Sequence, residues 1–154
     1  MIDGYWLSVR RNDPRVFALF RRHYSANKNW RWRRSDNTNV LGPGECMVLL
    51  SPCGRATFAW QHNTTPRFDH QVGVVCTLFR NEGAGLSSEL IDEADELAWQ
   101  RWSDIPRHFT YVDPSSTSRR RSKRAEAGQC FIHAGWRPCG RTPRGLVVLE
   151  RVRG

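Results

Sequence analysis

The sequence lacks any long apolar run. Nowhere in its 154 residues does a stretch approach the roughly 18 apolar residues that a membrane-spanning helix requires. Its beginning, MIDGYWLSVRR, also lacks the charged and then apolar segments of a secretory signal peptide. We therefore expect a protein of the cytoplasm that has no membrane partner.

The cysteines and histidines lack the spacings of common metal or redox motifs. The five cysteines are odd in number and form no CxxC pair, and the five histidines form no HxxxH or HExxH pair. These absences argue against a disulfide framework and against a local zinc motif. We assign no metal-binding residue. A metal held by ligands that are distant in sequence stays an open alternative. Cys46 and Cys76 lie in apolar runs and are expected in the core.

Negative charge is scarce relative to positive charge. The chain has 24 Lys and Arg residues against 15 Asp and Glu residues, which gives a formal net charge of +9. This excess is larger than solubility requires of a small domain. A polyanionic partner is therefore expected, and nucleic acid, here DNA, is the commonest class. The sequence shows no clear dimer face, so the oligomeric state, including a homodimer, stays open.

Strand and helix patterns follow one another along the chain. Alternation predicts a first strand over residues 4–10, and further strand candidates lie over residues 46–51, 56–61, 72–79, 108–113, 136–141 and 145–152. Helical periodicity predicts helices over residues 13–25, 86–102 and 128–135, the first with Asp13 as N-cap and Pro14 as first helical residue. The order indicates a mixed α/β or α+β class in one domain, residues 1–154. A basic linker at about residues 115–127 interrupts it.

The helix over residues 86–102 is amphipathic. Leucine, isoleucine and alanine recur at helical spacing on one side. The acidic residues are expected on the other side, facing solvent: Glu89, Asp92, Glu93, Asp95 and Glu96. Because such a face repels phosphate, DNA is expected to approach the protein from elsewhere.

The segment RNEGAG, residues 80–85, lies directly between a predicted strand and this helix. Glycines at such a place let main-chain N–H groups point outward, and the helix start adds unpaired N–H groups and the positive end of its dipole. A diphosphate is a ligand that fits these donors, while a plain turn is the alternative. The candidate binding residues are Arg80, Asn81, Gly83, Gly85, Leu86, Ser87 and Ser88.

The spacing Arg-x-x-Gly-x-Gly in this position resembles the acyl-CoA pyrophosphate loop of the GNAT acyltransferase superfamily. Residues 108–113 resemble its next strand, and residues 128–142 resemble its following helix and strand, with Gly135 and Trp136 at the Gly-aromatic positions. The resemblance implies a central, mostly antiparallel, twisted sheet of six to seven strands flanked by three to four helices. It also implies acetyl-CoA or a related acyl-CoA as cofactor.

One position departs from the pattern of that superfamily. Many of its enzymes carry a tyrosine four residues before the glycine, as proton donor to the departing thiolate, and Phe131 stands there instead. Tyr111 on the preceding strand is a candidate substitute, and Asp113 is a candidate base. A degenerate member without catalytic activity is the alternative that this substitution favours.

Two basic segments are candidate DNA contacts. Residues 21–34 mix arginines with tryptophans. We expect the tryptophan rings to stack on an unpaired base and the guanidinium groups to contact phosphates. The alternative is that these side chains only cover the edge of the core. The linker supplies a second cluster of positive charge. The candidate nucleic-acid-binding residues are Trp30, Arg31, Trp32, Arg33, Arg34, Arg119, Arg120, Arg121, Lys123 and Arg124.

The triplet His23, Tyr24 and Ser25 supplies groups that take, hold or relay a proton. With the GNAT-like pattern and the positive charge, it resembles the phage Mom-type DNA-modification proteins. That resemblance implies a transferase that adds a small group to the exocyclic amine of a DNA base, adenine N6, protects phage DNA from restriction and works in the host cytoplasm. Two alternatives stay open: a GNAT acetyltransferase for a small-molecule or protein amine, and a non-catalytic nucleic-acid-binding protein.

Overall fold

The computed structural model describes residues 4–22, 44–63, 67, 69–113 and 128–154. Within these ranges the chain forms seven strands and three helices. The strands are β1 (Leu7–Val9), β2 (Glu45–Leu50), β3 (Ala56–His62), β4 (Val74–Asn81), β5 (Arg107–Val112), β6 (Arg137–Arg141) and β7 (Val147–Val152). The helices are α1 (Pro14–Arg22), α2 (Ser87–Arg101) and α3 (Gln129–His133). The α+β class and the predicted elements are confirmed, with boundaries that differ by a few residues.

The seven strands form one sheet in the order β1-β2-β3-β4-β5-β7-β6. Every neighbouring pair is antiparallel except β4 and β5, which run parallel. The parallel pair is possible because α2 carries the chain from the end of β4 back to the start of β5. The predicted mostly antiparallel sheet is therefore confirmed.

A bulge interrupts β4 at Thr77. Cys76 pairs with Trp60 and Leu78 pairs with Ala59, so Thr77 has no partner residue in β3. A bulge shifts the alternation of side chains by one residue. As a result Cys76 and Phe79 pack in one core cluster, and Leu78 packs in the other.

The two sides of the sheet carry separate cores. The larger core packs against α2 and α3 and holds Trp6, Phe58, Trp60, Phe131 and Trp136. The smaller core, next to α1, is aliphatic and includes Val16, Leu19, Val48, Leu50 and Leu78. Cys76 is buried as expected. No helix in the described ranges is both long and apolar enough to cross a bilayer.

Two tryptophans of the larger core tie α2 to the strands beneath it. The indole N–H of Trp6 donates to the carbonyl of Leu90 at 2.8 Å, and that of Trp60 donates to the carbonyl of Ala94 at 3.0 Å. Both acceptors are in α2, and both tryptophans are fully buried. Since a buried indole N–H requires an acceptor, these bonds fix the position of α2 and of the loop before it.

The prediction that the acidic residues of α2 face solvent is wrong for Asp95. This carboxylate is completely buried, whereas Asp92 and Glu96 are exposed as predicted. Asp95 lies next to Ala94 and on the same side of α2 as Ile91 and Ala98, which belong to the core. The partners that make its burial tolerable are described below.

Candidate functional site

The site begins where β4 and β5 stop pairing. Their parallel ladder joins residues 74–76 to residues 108–110 and ends there. Beyond that point, residues 78–81 of β4 pair with β3 and have no partner in β5. The carboxyl-terminal end of β4 therefore lies at the edge of an interruption in the sheet, and it leads directly into the loop that precedes α2.

The side chain of Asn81 organises this loop. Its Oδ1 accepts hydrogen bonds from the N–H groups of Gly83 at 3.1 Å and Ala84 at 2.9 Å. Its Nδ2 donates to the carbonyl of Gly85 at 2.8 Å and to Oγ of Ser87 at 2.9 Å. One carboxamide thus spans the loop from the last residue of β4 to the first residue of α2.

The two glycines of the loop are needed for different reasons. Gly83 has φ of +100°, and a Cβ built there would meet no atom within 4 Å, so the requirement lies in its backbone conformation. A Cβ at Gly85 would approach the ring of Tyr5 to 3.3 Å, so the requirement there is space. The Tyr5 hydroxyl in turn donates to Glu89 at 2.5 Å, which fixes the ring over the loop.

The start of α2 leaves main-chain donors unused. No described side chain caps the helix, and its first bonds run from the N–H groups of Glu89 and Leu90 to the carbonyl of Leu86 at 3.1 Å each. The N–H groups of residues 85–88 have no acceptor in the described part of the chain. Because Asn81 already engages the N–H of Gly83, these four groups are the donors that remain for an anion. We call them, together with Arg80, the candidate anion site.

Arg80 forms an ion pair within the loop. Its Nε donates to Oε2 of Glu82 at 3.0 Å, with side-chain exposures of 33% and 25%. The terminal Nη groups of Arg80 have no partner among the described residues. These groups can therefore still donate to an external anion.

An open pocket of about 440 Å³ lies beside the start of α2. It is lined by Tyr5, Ser88, Glu89, Asp92, Glu93, His133 and Ala134. Glu89 and Glu93 accept hydrogen bonds from the hydroxyl and the main chain of Tyr5 at 2.5 and 2.7 Å. Three carboxylates line this pocket, of which Asp92 is paired with Arg151 at 2.9 Å, so Glu89 and Glu93 are the carboxylates of the wall that favour a cation over an anion.

Phe131 and Tyr111 lie in different surroundings. Phe131 is 6% exposed and packs against Trp136 and Phe79 at centroid distances of 4.9 and 5.9 Å. It is therefore a core residue of α3. The Tyr111 hydroxyl donates to the carboxylate of Asp69, and Asp113 follows the end of β5.

The environment of Tyr111 keeps its hydroxyl protonated. Burial, and then the bond to the Asp69 carboxylate, raises the pKa of Tyr111 to about 12. The pKa of Asp69 is lowered, chiefly by Arg67, whose Nε and Nη2 donate to the carboxylate at 2.9 and 2.8 Å. The Tyr111 hydroxyl therefore stays protonated and donates its hydrogen bond to Asp69.

The other candidates lie outside the described residues. These are His23, Tyr24, Ser25, Trp30, Arg31, Trp32, Arg33, Arg34, Arg119, Arg120, Arg121, Lys123 and Arg124. The linker at residues 115–127 lies there too.

A buried network at Asp95 was missed by the sequence analysis. Asp95 accepts hydrogen bonds from Nδ1 of His108 at 2.7 Å, the indole of Trp136 at 2.9 Å and Nη1 of Arg151 at 2.8 Å. His108 is fully buried and stacks on Trp99 at 4.6 Å. The network joins α2 to β5, β7 and the residue before β6. The available signal was an acidic residue at a helical spacing that places it with Ile91 and Ala98 on the apolar side of the helix.

No protein-family model matches the sequence, and no curated protein matches it. Among solved structures, the chain is similar to an aminoglycoside acetyltransferase AAC(6')-Ib in complex with coenzyme A and kanamycin, with 18% identity and a TM-score of 0.50. That match covers 70% of this chain and 67% of the other. Structures of AAC(6')-Ib with coenzyme A, and with ribostamycin and coenzyme A, match at 18% identity and TM-scores of 0.49 each.

In those two matches the chain spans 66% and 64% of the other protein's length, which is slightly less than two thirds. At this identity the likeness concerns the fold. It agrees with the mixed α+β fold and the mostly antiparallel sheet that the sequence predicts.

Proposed function

We propose that this protein is an acyl-CoA-dependent N-acyltransferase whose acceptor is the amine of a small molecule or a protein. One observation carries the proposal: the main-chain N–H groups of residues 85–88, at the start of α2 and in the loop after β4, have no acceptor in the described part of the chain. The fold likeness to structures described as coenzyme A complexes supports it. A diphosphate is the part of coenzyme A that such donors bind.

The residues of the loop then have separate tasks. The N–H groups of residues 85–88 and the Nη groups of Arg80 bind the diphosphate, and Asn81 holds the loop in the conformation that presents them. The bound acyl-CoA supplies an activated thioester. Fixing its orientation relative to the amine is the main contribution that the chain makes to the rate.

Two described residues are excluded from proton transfer. Phe131 has no hydroxyl, and the Tyr111 hydroxyl is bound to Asp69. Asp113, at the end of β5, and the triplet His23, Tyr24 and Ser25 remain the candidates that we propose for removing a proton from the amine.

The acceptor that we favour is cationic in its resting form. The carboxylates of Glu89 and Glu93 beside the candidate anion site attract a protonated amine and repel a polyanion. The solved structure with a TM-score of 0.50 is described as a complex with coenzyme A and kanamycin, which supports an amine-bearing small molecule as the acceptor.

The experiment that tests the proposal measures release of the coenzyme A thiol from acetyl-CoA in the presence of a panel of amines. The panel contains aminoglycosides, polyamines and lysine-containing peptides. We expect amine-dependent thiol release by the wild type and a loss of at least about tenfold in kcat/KM for Arg80→Ala, which corresponds to about 1.4 kcal/mol. Release that is independent of every amine, or unaffected by this substitution, would contradict the proposal.

A DNA base is the second candidate acceptor, and the net charge of +9 favours it. This form keeps the proposed cofactor and makes the exocyclic amine of a base, such as adenine N6, the nucleophile. Mass spectrometry of nucleosides from plasmid DNA co-expressed with the protein distinguishes the two acceptors. A modified nucleoside supports DNA, and unmodified bases together with amine-dependent thiol release support the small amine.

A further inference from the structure

We propose that Glu82 sets the affinity of the candidate anion site by placing a negative charge against Arg80. This inference rests on the proposed function, since it assigns a role within the same site. Glu82 orients the guanidinium and at the same time weakens its attraction for phosphate. The residue thereby keeps the bound anion exchangeable.

The ion pair is held by backbone anchors on both partners. Arg80 lies in β4, where it pairs with Thr57 of β3. The N–H of Glu82 donates to the carbonyl of Arg55 at 2.7 Å, in the turn that leads into β3. Both side chains therefore start from fixed positions, so little conformational entropy is lost when they meet.

The contact uses one edge of the guanidinium. Only Nε of Arg80 donates to Glu82, at 3.0 Å, and the terminal Nη groups keep their donors. This geometry holds the planar group in one orientation while the edge that suits a phosphate oxygen stays available. Orientation and charge are thus separable effects of Glu82.

The charge effect has a predictable direction. A carboxylate within a few ångström of a phosphate-binding arginine repels the incoming anion, and at partial exposure this repulsion is reduced by solvent and salt. Glutamine in place of Glu82 keeps an oxygen acceptor for Nε of Arg80 and removes the charge. The substitution Glu82→Gln should therefore strengthen anion binding, which a merely structural role of Glu82 would not produce.

The experiment titrates two probes, coenzyme A and inorganic pyrophosphate, into the wild type and Glu82→Gln by calorimetry. We expect Glu82→Gln to bind both probes about three- to tenfold more tightly at low ionic strength. The gain should shrink when salt is raised to about 0.5 M, because salt screens the partly exposed charge.

The matched control is Glu96→Gln. It makes the same change of net charge on an exposed residue of α2 nine residues beyond Ser87, about 13 Å along the helix. The dissociation constants of this variant should equal those of the wild type. An equal gain in both variants would attribute the effect to overall charge and overturn the inference.

Unchanged or weaker binding by Glu82→Gln also overturns the inference, even if coenzyme A binds and the proposed function stands. Tighter binding of pyrophosphate without any binding of coenzyme A supports the role of Glu82 and contradicts the proposed cofactor. If neither probe binds either protein, both the inference and the proposed function are wrong.

Discussion

The side-chain amide of Asn81 donates to Oγ of Ser87 at 2.9 Å and so connects the last residue of β4 to the first residue of α2. The same carboxamide engages the N–H groups of Gly83 and Ala84. The loop is therefore shaped by the protein itself. Because the N–H of Gly83 is already engaged, the N–H groups that remain for an anion are those at the start of the helix.

The first prediction concerns Asn81. Replacing it with Ala removes four partly exposed hydrogen bonds and should lower the free energy of unfolding by about 1–2 kcal/mol. The dissociation constant for acetyl-CoA should rise as the loop loses its fixed shape. Urea denaturation and calorimetry measure the two effects. In stability, Asn81→Asp, which keeps the acceptors but loses the donors, should lie between Ala and the wild type. Wild-type values for Asn81→Ala would refute the organising role.

The second prediction separates backbone strain from function at Gly83. With φ of +100° and open space around a Cβ, Gly83→Ala should cost about 1–2 kcal/mol of stability through backbone conformation alone. Gly145, in the turn between β6 and β7, has φ of +89° and equally open surroundings, so Gly145→Ala is its matched control. Similar losses on urea denaturation are expected, with weaker binding of acetyl-CoA for Gly83→Ala only. Equal binding by both variants would show that the loop does not take part in recognition.

The third prediction concerns the buried carboxylate. Asp95→Ala leaves His108 and Trp136 without their acceptor in a fully buried site, and we expect a loss of about 3–5 kcal/mol in the free energy of unfolding. Asp92→Ala, whose carboxylate is 57% exposed and pairs with the same Arg151, should cost at most about 1 kcal/mol. Chemical denaturation of both variants makes the comparison. Equal losses in the free energy of unfolding would mean that burial does not determine how much each carboxylate contributes to stability.

The fourth prediction concerns acid stability. The hydrogen bond from Arg107 to Glu150, at 2.7 Å, lowers the pKa of Glu150 below 4.5 against the opposing effect of burial, and Arg137 adds to the lowering. Because the folded-state pKa is depressed, this contribution to stability is complete above about pH 4.5 and is lost as the pH falls through the folded-state value. Urea midpoints measured from about pH 3 to 7 should fall more steeply below pH 4.5 for the wild type than for Glu150→Gln. Parallel curves would exclude Glu150 from acid unfolding.

The order of strands and helices follows from periodicity and turn residues. Short apolar runs mark β2, β3 and β4, and helical spacing marks α2, because these patterns arise from which faces must be buried. Asp13 and Pro14 mark the start of α1, where the N–H of Arg15 donates to the carboxylate of Asp13 at 2.8 Å. Local signals of this kind are sufficient for the class of fold.

Such local patterns do not predict contacts between residues that are distant in sequence. Asp95 reads as one more acidic residue on α2, and only its meeting with His108 and Arg151 from other strands makes its burial tolerable. At the site, the Arg-x-x-Gly-x-Gly spacing located the loop. Asn81 accepts a hydrogen bond from the N–H of Gly83, and Glu82 accepts one from Arg80. Both contacts depend on side-chain directions, which the spacing of residues does not specify.

The most direct test of the account follows the main-chain amides during a titration with coenzyme A, by ¹⁵N–¹H NMR. The account predicts that the largest shift changes occur at Gly85, Leu86, Ser87 and Ser88, with smaller changes at Gly83, whose N–H is held by Asn81. Arg80→Ala should weaken the response at all four. Saturating coenzyme A that leaves these four amides unmoved would contradict the claim that they bind the diphosphate.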